Sequence, residues 1–303
     1  MIIPLTSACT GDSMASQSTT ASGPILLITD LSPRCDRALD RAVSLARHHN
    51  VKLIALHVIE PSFLSRLILP SWATVHKQHQ EVAQQRLADD LKGADVELEV
   101  LVEIGYPIDV IKDVTQSHHC SMIVSGTARD ESLGRIMLGS TVERVAREAE
   151  TPLLVVRNRP DATYHHVLSG TDFSGSSRHA LQTAATLIPF EMMTVFHSFD
   201  EVAGVRDLDQ ATIDERTRHL QKEAEDFVKQ TEGLDPQKLP ATVVEFGAPG
   251  QTIPRFVQEH HIELVVLGTH GATGILKTAM GSIAEQLLTL LRCDVLIVRA
   301  KRS

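Results

Sequence analysis

Short apolar runs alternate with longer amphipathic stretches along the chain. In the first half, runs rich in Val, Ile and Leu are bounded by turn residues, as is typical of strands buried on both faces. These runs cover residues 25–29, 53–58, 96–104, 122–125 and 153–156. Between them the pattern predicts helices over residues 35–48, 72–91, 107–118 and 140–149. The alternation predicts an α/β fold with a parallel, doubly wound sheet.

The second half of the chain repeats the first at an offset of 142 residues. Matching segments are Thr29-Asp30 with Thr171-Asp172, Gly126-Thr127 with Gly268-Thr269, and Gly139-Ser140 with Gly281-Ser282. His57 pairs with His197 at an offset of 140, so two residues are missing locally from the second copy. One offset held across a whole domain indicates a tandem duplication. We expect a flexible tail over residues 1–23, one domain over 24–158 and a second over 163–303.

Composition narrows the class of protein. The net charge of −9 disfavours a surface that binds nucleic acid phosphates, and the aromatic content of 4% disfavours a base-stacking platform. No apolar run of about 18 residues occurs, so no membrane span is predicted. The four cysteines form no C-x-x-C pair, which favours reduced thiols in a cytoplasmic protein.

A glycine-rich loop follows the fourth predicted strand of the second half. It reads Gly268-Thr269-His270-Gly271-Ala272-Thr273-Gly274-Ile275-Leu276-Lys277-Thr278-Ala279-Met280-Gly281-Ser282. Glycines let a backbone approach an anion closely and adopt positive φ, and a helix N-terminus binds anions. Ser282 and Glu285 have the spacing of a capping box, and Lys277 is the one charged side chain between Gly268 and Ala284. The loop therefore predicts a phosphate site, although glycines that simply make turns are the alternative.

The first copy of this loop carries charges that oppose a phosphate. Arg129 stands in the position of the second glycine, and Asp130 and Glu131 follow it. At an effective dielectric constant near 20, one such carboxylate about 4 Å from an anion costs roughly 4 kcal/mol. We predict that the second half binds a nucleotide and that the first binds one weakly or not at all.

The spacing G-x-x-G-x9-G-S, an Asp that ends the first strand and a His in the second strand resemble the universal stress protein family in its tandem form. The resemblance covers nearly all of residues 24–300. It implies two Rossmann-like, five-stranded parallel sheets of order 3-2-1-4-5, with residues 153–156 docked against 295–298 in an intramolecular pseudo-dimer. It also implies an ATP site, with Asp172 and backbone near Ser198 at the adenine and the glycine loop at the phosphates.

The nucleotide site is expected in the second domain, with Mg²⁺ accompanying the ATP. Its expected residues are Asp172, Ser198, Leu267, Gly268, His270, Gly271, Lys277, Gly281, Ser282 and Ile283. Without the resemblance, a turn or helix-cap role for Asp172 is equally favoured, because Ser174-Gly175-Ser176-Ser177 has the composition of a helix start.

Histidines raise two further hypotheses. His118, His119 and Cys120 carry suitable zinc ligands, but adjacent residues rarely face one ion, so polar helix ends are favoured and no metal site is predicted. His57 and His197 lie within the second strand of each copy, where we expect hydrogen-bonded core histidines.

Three functions compete. The first is an ATP-binding, stress-response regulatory protein, in which the nucleotide acts as a conformational or partner-binding switch for unidentified proteins. The second is a slow ATP hydrolase with His270 or Asp172 orienting water, and the third is a ligand-free interaction module. No catalytic residues are predicted, and pairing of whole chains into a homodimer stays open.

Overall fold

The structure is a computed structural model that describes most of the chain. The described residues are 22–32, 35–60, 72–130, 135–137, 139–159, 163–200, 209–269 and 280–299. Most of the predicted tail (residues 1–21) and residues 160–162 of the connection between the halves lie outside them.

Strands and helices alternate through both halves of the described chain. Its twelve strands are β1 Ile25–Thr29, β2 Leu53–Ile59, β3 Leu98–Ile104, β4 Met122–Ser125, β5 Ala128–Asp130, β6 Arg135–Met137, β7 Leu153–Val155, β8 Tyr164–Gly170, β9 Phe190–Phe199, β10 Ala241–Phe246, β11 Leu264–Gly268 and β12 Asp294–Val298. Its eight helices are α1 Asp36–His49, α2 Trp72–Asp90, α3 Pro107–Ser117, α4 Ser140–Glu148, α5 Gly175–Leu187, α6 Gln210–Lys229, α7 Pro249–Glu259 and α8 Ser282–Leu290.

Ten of these strands form one continuous sheet. Its order is β10-β9-β8-β11-β12-β7-β4-β1-β2-β3. Within each half the strands run parallel, in the order third, second, first, fourth, fifth. The α/β fold class predicted from the sequence is confirmed, and the two five-stranded sheets join into one.

The fifth strands of the two halves join the sheet across its centre. β7 pairs antiparallel with β12, with Leu154 opposite Leu296 and Val155 opposite Val295. These four side chains have no exposed surface. The expected docking of residues 153–156 against residues 295–298 is therefore present.

Two apolar layers cover the two faces of the sheet. Successive side chains of a strand point to opposite faces, so Leu26 and Ile28 pack in the layer of α3, α4, α7 and α8. Ile25 and Leu27 pack in the opposite layer, with α1, α2, α5 and α6. Each layer contains residues from both halves, so the two repeats share their cores.

A buried carboxylate fixes the connection between the halves. Asp294, at the start of β12, has no exposed surface. Its Oδ1 accepts hydrogen bonds from the backbone N–H groups of Arg157 (2.8 Å) and Asn158 (3.0 Å), and its Oδ2 accepts one from the Tyr164 hydroxyl (2.7 Å). The guanidinium of Arg41 lies 3.9 Å from the centre of the Tyr164 ring. This cluster joins α1, the connection, β8 and β12.

Two local features differ from the sequence predictions. Ser282 does not cap its helix: the cap is Gly281, with no side-chain hydrogen bond. The predicted capping box is therefore wrong. The equivalent cap in the first half is Gly139. A hairpin also forms in the first copy's loop, where β5 pairs antiparallel with β6.

Candidate functional site

The second half contains a cavity at the carboxyl ends of β8 and β11. Its volume is about 330 Å³. Strand order reverses between β8 and β11, because β9 lies on one side of β8 and β11 on the other. Open α/β sheets bind ligands at such a point. The cavity therefore occupies the position where this fold class places its ligands.

The structure brings most of the predicted site residues to the wall of this cavity. Those in the wall are Asp172, Ser198, Leu267, Gly268, Gly281, Ser282 and Ile283. The remaining three, His270, Gly271 and Lys277, lie outside the described residues.

The wall also contains residues that the sequence reasoning missed. They are Gly170, Thr171, Ser177, Phe196, His197, Pro249, Ile253, Thr269, Ala284 and Leu287. Most are apolar, and two of them belong to α7, the helix that precedes β11 and the glycine loop. The rule that strand ends meet at one edge of the sheet would have drawn attention to Thr171 and Pro249.

Asp172 lies in a turn as well as in the cavity wall. Its Oδ1 accepts a hydrogen bond from the backbone N–H of Ser174 (3.1 Å), and the intervening Phe173 has a φ of 62°. Ser174 caps α5 by accepting from the backbone N–H of Ser177 (3.2 Å). The turn holds the half-buried carboxylate at the end of β8, so the structural and binding roles of Asp172 are compatible.

His197 is fixed beside the end of β8. Its Nδ1 lies 2.8 Å from the carbonyl oxygen of Thr171, and its ring stacks on Phe173 at 4.4 Å between centroids. His57 makes the same contact with Thr29 (2.9 Å) in the first half. Burial lowers the pKa of His197, although the Thr171 contact opposes that shift. The expected hydrogen bonds are present, but both histidines are half-buried and line cavities.

Close packing explains two glycines of the site. A Cβ on Gly281 would lie 3.1 Å from the carbonyl oxygen of Thr269, and one on Gly268 would lie 3.0 Å from Ser176 Oγ. Neither glycine has a positive φ. Glycine can serve a close approach of the backbone or a positive φ, and at Gly268 and Gly281 the close approach is what requires it.

The N-terminus of α8 faces the cavity. The backbone N–H of Gly281 donates to Thr269 O (2.7 Å), which ties the helix start to the end of β11. The next three residues, Ser282, Ile283 and Ala284, line the cavity. The first N–H groups of a helix have no partner within the helix, and with the helix dipole they favour a bound anion.

The first half contains a smaller cavity of about 210 Å³ at the equivalent place. Two carboxylates line it, Asp30 and Glu60, together with His57 and the Cys35 thiol. Asp30 Oδ1 accepts from the backbone N–H of Ser32 (2.9 Å) and from Cys35 Sγ (3.2 Å). Burial raises the pKa of Asp30, but the hydrogen bonds from Ser32 and Cys35 outweigh it and lower the pKa overall. The carboxylate is therefore ionised at neutral pH.

Two pairs of adjacent histidines, His118-His119 and His260-His261, follow the equivalent helices α3 and α7. His119 after α3 and His261 after α7 share a φ of 51°, a left-handed turn conformation. His118 Nε2 lies 3.8 Å from Glu99 Oε1. Within the described ranges, no group of three or more His, Cys, Asp or Glu side chains is arranged to hold a metal ion.

Comparison with known families identifies the chain. Residues 22–157 and 163–299 each match the universal stress protein family, so the chain belongs to that family. A universal stress protein of Mycobacterium tuberculosis is 26% identical over 291 residues, covering 91% of this chain and 96% of that protein. Universal stress protein E of Escherichia coli is 23% identical over 301 residues, covering 91% and 93%.

A solved structure of a universal stress protein shares the architecture. A universal stress protein from Archaeoglobus fulgidus superposes with a TM-score of 0.63 at 19% identity, covering 91% of this chain and 96% of that one. A universal stress protein crystallised in complex with cAMP is 26% identical, with a TM-score of 0.31, covering 45% of this chain and 98% of that one.

Among the described helices, none is long and apolar enough to cross a membrane.

Proposed function

We propose that the second half binds ATP and that the bound nucleotide regulates contacts with other proteins. The observation that carries this proposal is the convergence of three features on the larger cavity. These are the Asp172 carboxylate, two closely packed glycines and the N-terminus of α8.

The cavity is lined by both polar and apolar residues, as a nucleotide requires. Phosphates would lie against the first turn of α8 and the glycine loop. The sequence of that loop includes one positively charged residue, Lys277. The base would contact the apolar wall formed by Phe196, Ile253 and Leu267. The Asp172 carboxylate would accept from an amino group of adenine or a hydroxyl of ribose. Mg²⁺ would be held mainly through the phosphates.

The first half is less suited to a nucleotide. Its cavity is smaller and is lined by two carboxylates, where the larger cavity has Asp172 alone among its lining residues. The loop of the first half lacks the second glycine of the pattern and contains the β5–β6 hairpin, whose sequence includes Asp130. Negative charge near a phosphate is unfavourable, so we propose that this half binds no ATP.

Contacts between the halves offer a route from the nucleotide to the rest of the molecule. Glu285, in the first turn of α8, forms a salt bridge with Arg147 of α4. Arg299 donates to the carbonyl oxygen of Arg147 (2.8 Å). A ligand that shifts the start of α8 would therefore alter its contact with the first half. We propose that unidentified partner proteins in the cytoplasm bind differently to the two forms of this contact. Assembly of the chain into a homodimer stays a prediction.

Calorimetric titration of the full chain with Mg-ATP tests the proposal, with a matched pair of variants. Asp172→Asn should weaken binding about tenfold or more, because it removes a charged acceptor from the wall. Asp30→Asn, the same change in the first half, should leave the affinity unchanged. No ATP binding by the unmodified chain, or equal effects of the two changes, would contradict the proposal. Phosphate release in the same samples would reveal the hydrolase alternative.

A further inference from the structure

Equivalent positions of the two halves line the two cavities. At one of these positions the second half has a glycine and the first half has an isoleucine. The last residue of β8 is Gly170, and its equivalent in β1 is Ile28. We propose that Gly170 admits the purine base to the second cavity and that Ile28 excludes it from the first. The inference rests on the proposed nucleotide binding and names the residue that determines which half takes the base.

The two residues occupy the same place in the sheet. Ile28 lies beside Leu56 of β2, and Gly170 lies beside Phe196 of β9. Ile28 packs in the layer of α3 and α4, on the same face as Leu26 two residues earlier. Any side chain at position 170 would point to the equivalent layer, toward α7 and α8. That layer contains the apolar wall of the cavity.

Neither backbone conformation nor a clash requires glycine at position 170. Its φ is not positive, and a Cβ there would lie 3.6 Å from Leu267 Cδ2 and 3.7 Å from the Val266 carbonyl oxygen, ordinary contact distances. The residue is half-exposed to the cavity that it lines. The physical consequence of glycine here is therefore the space it leaves beside Leu267.

Ile28 fills the corresponding space in the first half. It is 7% exposed and packs in the same cluster as Leu56 and Ile111, although it still lines the cavity. The volumes agree with this interpretation, at about 210 Å³ against about 330 Å³.

The other differences between equivalent lining positions act in both directions. Phe196 replaces Leu56, and Leu267 replaces Ser125, so at both positions the second half has the larger side chain. Ala284 in place of Val142 and Ser198 in place of Val58 each add some space, and Gly170 in place of Ile28, which removes a whole side chain, adds the most. The flat apolar surface of Phe196 beside the space at Gly170 suits a planar base.

A graded series at Gly170 tests the inference in the full chain. Gly170→Ala should bind Mg-ATP within about threefold of the unmodified protein, since its Cβ meets only ordinary contacts. Gly170→Val should bind it more weakly, and Gly170→Ile more weakly still, by about tenfold or more, because each added carbon occupies the space of the base. The matched control is Gly175→Ile, at an exposed glycine whose added Cβ would have nothing within 4 Å. The control should bind ATP normally.

Inorganic tripolyphosphate separates an effect on the base from an effect on the fold. Its affinity should be the same for the unmodified chain, Gly170→Ala and Gly170→Ile, because the phosphate end of the cavity is unchanged. Unchanged ATP affinity in Gly170→Ile, or a parallel loss of ATP and tripolyphosphate along the series, would overturn the inference while leaving ATP binding by the second half intact. Absence of ATP binding by the unmodified chain would instead overturn the proposed function, and this inference with it.

Discussion

At the scale of single residues, burial controls the chemistry of the thiols. Burial raises the pKa of Cys120 to about 11 and that of Cys293 to about 12. Only a thiolate is a good nucleophile, so these groups are protonated and poorly reactive near neutral pH. Both lie in the apolar layer of α3, α4, α7 and α8.

Alkylation should therefore spare these two cysteines in the folded protein. At pH 8, iodoacetamide followed by mass spectrometry should label Cys120 and Cys293 slowly in the native state and fully in urea. Since the pKa values are raised, labelling of the native protein should increase as the pH rises toward 11. Equal labelling of Cys120 in native and unfolded samples would show that the site is open.

The environment of His197 predicts a pH dependence of stability. Its pKa is lowered in the folded state, so the unfolded chain binds the proton more readily. The contribution of His197 is thus complete above about pH 6.5 and is lost as the pH falls through the lower folded pKa. Urea unfolding between pH 7.5 and pH 5 should show a smaller decline in His197→Asn than in the unmodified chain. His261→Asn, an exposed control, should show the unmodified decline.

The sequence indicated which residues lie in the cavity wall better than it indicated the structural role of each. Asp172 and Gly281 stand in the wall, but the glycines serve close packing and Ser282 does not cap α8. No motif marked Gly170 in the sequence, because the space that it leaves depends on its neighbours Phe196 and Leu267 in the folded sheet. Such a contact follows from three-dimensional packing and not from spacing along the chain.

At the scale of elements, the five sheet strands of the first half were predicted to within one or two residues. Parallel strands covered on both faces are continuous apolar runs, which makes them conspicuous in a sequence. The β5–β6 hairpin was missed because its segment is short and charged, with no apolar alternation to mark it. The strand order required the family resemblance, since apolar patterns do not specify neighbours.

The attachment of β12 to the connection between the halves gives a stability prediction. Asp294→Ala should lower the free energy of unfolding by about 3 to 5 kcal/mol, because it leaves buried N–H and hydroxyl donors without an acceptor. Asp294→Asn, which keeps one acceptor oxygen, should cost less. Chemical denaturation measures both, with the exposed Asp95→Ala as control. Equal stability of Asp294→Ala and the control would show that this cluster does not hold the halves together.

At the scale of the whole molecule, we expect the two repeats to unfold as one cooperative unit. The sheet is continuous through β7 and β12, and both apolar layers include residues of both halves. Calorimetry should accordingly show one unfolding transition, with equal calorimetric and van't Hoff enthalpies. Two separate transitions would indicate that the halves unfold independently despite their shared sheet.

The central claim is that two similar halves have diverged into one nucleotide site and one half that binds no ATP. Native mass spectrometry of the full chain, titrated with Mg-ATP, tests it most directly by counting bound nucleotides. The account predicts a single ATP per chain, with occupancy shifted to about tenfold or more higher ATP concentration in Asp172→Asn and unchanged in Asp30→Asn. Two nucleotides per chain, none, or a single nucleotide lost only in Asp30→Asn would contradict it.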